Sequence, residues 1–171
     1  MVVNTDEFLK EQCLLAYEHG YQVNNHCIGD SANRWMLDMY GEILKGRNDR
    51  RWRIEHSQII HPDDFGKFGQ HSIIPSVQST HATSDMYWAK DRVGAERIKG
   101  AYAYRTLLKE NGWLPNGSDF PVEHINPLYG YYALIARKDQ KGWPPDGFMR
   151  EQAFSREEAM RAMTIWAARS A

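Results

Sequence analysis

Hydrophobic residues recur at helical spacing in several parts of the chain. Leu9, Cys13, Ala16 and Tyr17 stand at i, i+4, i+7 and i+8, which predicts a helix over 6–19 with one apolar face, ended by Gly20. Ala32, Trp35, Met36, Met39 and Ile43 repeat the pattern over 31–45, with Asp30 or Ser31 available as its cap. Ala159, Ala162, Met163, Trp166 and Ala167 share one face of a last helix, and Ser155 with Glu158 reads as its capping box. A further helix is expected around 95–111. His61-Pro62 suits the start of a short one, because proline fits a first turn.

Short extended runs lie between these helices. The strand candidates are "YQVNNH" (21–26), "RWRIEH" (51–56), "HSIIPSVQ" (71–78) and "WLPNGSD" (113–119). Pro75 counts against a central place for the third. Strands alternating with helices predict an α/β fold with a parallel sheet and crossover helices. Four such units make either a small open sheet or half of an eight-stranded barrel. Polar residues gather where each predicted strand ends: His26, Glu55-His56, Gln78 with His81, and Ser118-Asp119. In barrel enzymes that end carries the active site. "KGWPPDG" (141–147) reads as a surface loop, and no repeat or low-complexity tract is visible.

Composition narrows the picture only slightly. At 171 residues, 42% hydrophobic and 25% charged, the chain suits one globular domain with a real core. A net charge of -1 gives no reason to expect nucleic acid or an anionic membrane surface as a partner. No apolar run approaches the roughly 20 residues that span a bilayer, and "MVVNTDEF" lacks the features of a signal peptide. The two cysteines, Cys13 and Cys27, cannot form a disulfide scaffold, so a reduced, cytoplasmic setting is expected.

Two imidazoles and a carboxylate at strand ends suit a divalent ion of the zinc class, which accepts nitrogen and oxygen donors. His26, His56 and Asp119 are far apart in sequence, so only a fold could gather them. A carboxylate beside metal-activated water can take its proton, which makes metal-assisted hydrolysis the natural reaction class. The plainer reading, histidines held in structural hydrogen bonds, stays open on spacing alone.

Five segments, in order, carry a resemblance. "HCIGDSANRWMLD", "RWRIEHSQIIHPDDFGKF", "SVQSTHATSDMYWAKDRVGAERIKGAYAYRTLL", "NGSDFPVEHINPLYGYYALIARKD" and "SREEAMRAMTIWAARSA" resemble the second half of the amidohydrolase 3 family, a branch of the metal-dependent amidohydrolase superfamily. The resemblance implies half of a (β/α)8 TIM barrel, strands five to eight with flanking helices, as a single partial domain over 1–171. It implies that His26 and His56 bind the metal, and that Asp119 holds the metal-bound water and shuttles its proton. It also implies a divalent metal, zinc first with manganese or iron as alternatives, and a small-molecule substrate split at a C–N bond of an amide, an N-acyl or N-formyl amine, or a cyclic ureide. The family's His-x-His pair, its bridging residue on strand four and its small β-sandwich have no counterpart here. The chain is therefore expected to be a piece of a longer protein, and a non-catalytic half barrel is the alternative to an enzyme.

Other polar residues carry weaker expectations. His81, Asp85 and Arg97 could contact substrate, against a backbone-satisfied loop histidine and solvated or paired charges. Glu55 reads as a structural partner of Arg53, and Cys27 should point away from His26 because side chains alternate along a strand. His19, His71 and His124 have no constellation around them. Half a barrel leaves sheet edges open, so a homo-oligomer joined through them is expected, a homodimer built as a two-half pseudo-barrel or edge to edge.

Overall fold

The structure is a computed structural model that describes residues 4–171; the first three residues of the stretch read for a leader lie outside it. Three parallel strands form the sheet, in the order β1 (Asn24–Cys27), β2 (Arg53–His56), β3 (Ile74–Ser76). A helix or helices follow each strand, as in a barrel: α2 (Asp30–Leu44) after β1, α3 (Phe65–His71) after β2, and α4 (Ser79–Asp85) after β3. α1 (Asp6–Glu18) precedes the sheet, with Thr5 accepting the Phe8 N–H as its N-cap. Among the described residues no helix is long and apolar enough to cross a membrane.

The fourth predicted strand is reduced to one parallel bridge, Val77 with Asn116. Proline explains the reduction. In a parallel ladder alternate residues present their backbone groups to the same neighbour. Ile74 and Ser76 pair with β2, so Pro75 and Val77 face the fourth segment. Pro75 offers no N–H there, and Pro115 across from it offers none either. Pairing survives only as Val77 N–H to the Pro115 carbonyl (3.0 Å) and Gly117 N–H to the Val77 carbonyl (2.9 Å).

Several helices differ from the sequence pattern. The helix expected over 95–111 is broken into α5 (Ala89–Arg97), a 3-10 turn (Ile98–Gly100) and α6 (Tyr104–Asn111). At the break the chain pairs with 58–60: Ile60 N–H reaches the Gly100 carbonyl at 2.9 Å and Tyr102 N–H the Gln58 carbonyl at 2.7 Å. A Cβ on Gly100 would lie 2.0 Å from the Ile60 carbonyl oxygen, so only glycine permits this approach. α7 (Pro127–Ala136) starts on Asn126, whose side chain accepts the Leu128 N–H. The last helix divides at Thr164 into α8 (Arg156–Met163) and α9 (Ile165–Ser170). The expected Ser155–Glu158 capping box is present. The cap of α2 is Gly29, not Asp30 or Ser31; Asp30 lies in the first turn and accepts the Ser31 N–H.

The core lies between the sheet and its helices. Ile54, Trp52 and Tyr40 are fully buried there with Leu37, Phe68 and Leu107. β1 alternates as expected: Cys27 is buried against the helices while His26 lies on the exposed face. Asn25 shares the helix side, and its oxygen accepts the Tyr40 hydroxyl at 3.2 Å.

Candidate metal centre

The site forms where the strands end. His56 closes β2 at a φ of +74°, a left-handed value that L side chains rarely adopt. That angle has a purpose that the register makes visible. Cys27 and His56 are ladder partners, so regular strand geometry would send His56 to the helix-packed face with Cys27. Relative to the usual φ of a parallel strand, +74° turns the Cβ by about half a turn about the N–Cα bond. The ring consequently meets His26, with His26 Nδ1 and His56 Nε2 2.8 Å apart. Asp119 is also left-handed, with a φ of +58°. Strain of this kind, about 1–3 kcal/mol per residue, persists where surrounding structure enforces it and concentrates at functional sites.

Gln78 fixes the other nitrogen. Its side-chain oxygen lies 2.8 Å from His56 Nδ1 and can only accept, so Nδ1 carries the proton and the lone pair of the neutral ring is on Nε2. A ligating histidine is held in this way by a partner on its far nitrogen. Burial lowers the pKa of His56 below the ordinary imidazole value, and the neighbouring His26 and His81 rings act in the same direction. At 7% exposure the ring is therefore neutral and ligand-competent near pH 7.

His81 is where the sequence reading falls short. It lies on α4, not in a loop, and no backbone group satisfies its Nε2, which is buried without a hydrogen-bond partner. That atom points to the site: it lies 3.8 Å from Asp119 Oδ2, and the ring stacks on His56 with centroids 5.7 Å apart. Donor atoms of His56, His81 and Asp119 all lie within 4.8 Å of one another. Donors on a tetrahedral ion at 2.0–2.2 Å stand about 3.4 Å apart, so sub-ångström to ångström shifts would close this set on one ion. The orphaned nitrogen and the mixed imidazole–carboxylate set fit a divalent metal. His26 borders the set through His56.

Buried hydrogen bonds set the spacing of these groups. α4 has no side-chain cap of its own; Asn116 supplies one from the fourth segment by accepting the Ser79 N–H at 2.8 Å. At the far end of α4, Asp85 Oδ2 accepts from the Tyr102 hydroxyl (2.8 Å) and from Gln58 Nε2 (3.1 Å). Gln58 follows His56 by two residues, so this network ties the His56 segment to the His81 helix. Asn33 Nδ2 bonds the carbonyls of Cys27 (3.0 Å) and Ile59 (3.2 Å), joining the turns after β1 and β2. Arg97 takes no part in the cluster: it is exposed on α5 and bonds the Val93 carbonyl of its own helix. Glu55 pairs with Arg53 at 3.0 Å, as its structural reading expects.

Comparison with known proteins gives this geometry a context. Residues 2–171 match the profile of the amidohydrolase family. The chain is 39% identical over 171 residues to Protein LONG AFTER FAR-RED 3 of Arabidopsis thaliana, covering 96% of this chain and 28% of that protein. It is 29% identical over 162 residues to the putative amidohydrolase YtcJ of Bacillus subtilis (strain 168), covering 95% of this chain and 30% of that one. An uncharacterized metal-dependent hydrolase from Pyrococcus horikoshii OT3 superposes with a TM-score of 0.84 at 28% identity, over 98% of this chain and 33% of that structure. A second, from Pyrococcus furiosus, superposes at 0.82 and 28% identity, over 99% and 33%. The chain thus spans about a third of these relatives, as a partial barrel would. With the match running over nearly every residue, the chain belongs to the amidohydrolase family.

Proposed function

We propose that this chain supplies the His26, His56, His81 and Asp119 side of the active site of a metal-dependent hydrolase acting on C–N bonds of amides, N-acyl or N-formyl amines, or cyclic ureides. One observation carries the reading: a buried, unpartnered His81 Nε2 facing a neutral His56 and the Asp119 carboxylate. Zinc, or manganese or iron in its place, would be held by these residues and would supply Lewis acidity to a water and to the scissile carbonyl. The residues themselves do the rest. Gln78 keeps the His56 proton on Nδ1, so the Nε2 lone pair, which here accepts from His26 Nδ1, is the one an ion would take in place of that bond. Asp119, about a third exposed, can accept a proton from water and deliver it to a departing amine nitrogen.

Metal content per chain, measured by mass spectrometry on protein purified without chelator or affinity metal, tests this. We expect about one ion per chain, lost in His56→Ala and in Asp119→Asn. A metal-free wild-type chain that takes up no added zinc would sink the reading. A second reading, a non-catalytic half barrel, is favoured by the exposure of His26 on the edge strand β1, outside the donor cluster found among the described residues. Metal bound without turnover of N-acyl amines or ureides would select it.

A further inference from the structure

A cleft of about 320 Å³ has as its main walls the helix that carries His81 and the segment that follows Asp119. One wall is the flank of α4 at Thr80, Thr83 and Ser84 with Tyr87 beyond it, on the helix that carries His81. The other is the segment after Asp119, through Glu123 and His124 to Tyr129. The cleft is built, not incidental. Ser84 donates to Glu123 at 2.6 Å, which ties the two walls together. The loop at 139–143 forms the third side: Trp143 stacks on Tyr87 with centroids 4.9 Å apart and planes 10° apart, and the Tyr87 hydroxyl bonds Asp139. His124 and Tyr129 pack at 4.8 Å.

The lining selects a ligand class. Tyr87, backed by Trp143, and the packed pair His124 and Tyr129 give the cleft an aromatic lining suited to a flat aromatic group. Glu123 and Asp139 place two carboxylates in the lining against the single ammonium of Lys141. That balance favours a cationic or neutral donor over an anion. We propose that this cleft is the subsite for the amine half of the substrate, and that this half is an aromatic amine. The proposal rests on the C–N hydrolase reading for its role in a reaction, but its binding chemistry is independent of the metal.

The test uses the full chain and three probes: tyramine, 4-hydroxyphenylacetate as its anionic near-isostere, and butylamine as an amine without a ring. Affinities are measured by ligand-observed NMR with EDTA present, and metal content is measured separately. We expect tyramine to bind at least tenfold more tightly than either of the others. Glu123→Gln and Tyr129→Ala should weaken tyramine several-fold, with Tyr129→Phe restoring it. Equal affinity for acid and amine, or binding unchanged in Glu123→Gln and Tyr129→Ala, would overturn the proposal. Tyramine binding in a chain that takes up no metal would refute the hydrolase reading and leave the amine cleft standing. Metal uptake without selective tyramine binding would do the reverse.

Discussion

Single residues decide whether this site can work, and Gln78 is the one least visible from the sequence. Its oxygen holds the proton of His56 on Nδ1 and so leaves the ligand lone pair on Nε2. Gln78→Leu keeps the bulk and removes that bond. We expect metal affinity to fall about 10–100-fold, measured by competition with a chromophoric chelator; unchanged affinity would remove Gln78 from the site. The cysteines behave differently. Burial pushes the Cys13 thiol up to about 11 and Cys27 up to about 12. Neither should react with a disulfide reagent at pH 8 in the native chain, whereas both should react in denaturant. Rapid native labelling would place one of them outside the core. The family resemblance points to His26, His56 and Asp119, and the structure gathers His56 and Asp119 with His81, leaving His26 beside His56. The half-turn at His56 was not legible, because alternation along a strand says nothing of a left-handed φ. His81 was undervalued for a related reason: it lies in "STHATSD", which has no apolar periodicity and is helical because Asn116 and tertiary packing make it so.

At the level of elements, close backbone approach and capping set the packing. α3 meets α6 through Gly69, where an added Cβ would stand 2.2 Å from the Glu110 carbonyl oxygen. Gly69→Ala must push the helices apart, and we expect a loss of about 2–3 kcal/mol in urea unfolding. A loss under half that would mean the contact relaxes freely. α8 is anchored differently. Arg105 makes paired bonds to Glu158 at 2.6 and 2.8 Å, and with this partner Glu158 titrates at about 2 in place of 4.5. A depressed carboxylate stabilises the fold fully above 4.5, and that contribution is lost as pH falls from 4.5 toward about 2. Allowing for solvent screening, Glu158→Ala should cost about 1–2 kcal/mol at pH 7 and much less near pH 2. A pH-independent difference between the two proteins would contradict the pairing. The main helices and strands followed from hydrophobic spacing. The breaks at Gly100 and Thr164 did not, because distant backbone and a local side-chain bond impose them.

At the scale of the whole molecule, the described sheet has an open edge. Among the described residues β1 pairs on one side only, and Leu14, Leu15, Tyr21 and Ile28 stand exposed on and around α1 and the end of β1. Unpaired strand edges beside apolar surface recruit further strands. We expect the chain to self-associate at tens of micromolar, with sedimentation showing species heavier than 19.9 kDa. Replacing Asn24 by Lys should shift it toward monomer. A monomer at every concentration would mean the edge is protected.

The single bridge at the fourth segment has a mechanical meaning. β1 and β2 hold His26 and His56 as parts of one sheet, and Gln78 follows β3 by two residues at the start of α4. Asp119 instead hangs two residues past Gly117, the last residue bonded to β3, and an added Cβ at Gly117 would meet nothing within 4 Å. His81 on α4 is tied to the His56 segment through the bond of Gln58 to Asp85, so the nitrogen side is cross-braced, whereas Asp119 lies in a turn outside the sheet. Asp119 would therefore be the donor to move toward an ion of larger or smaller radius. Any tolerance of the proposed centre for more than one metal would in this sense trace to two prolines that withhold their hydrogen bonds.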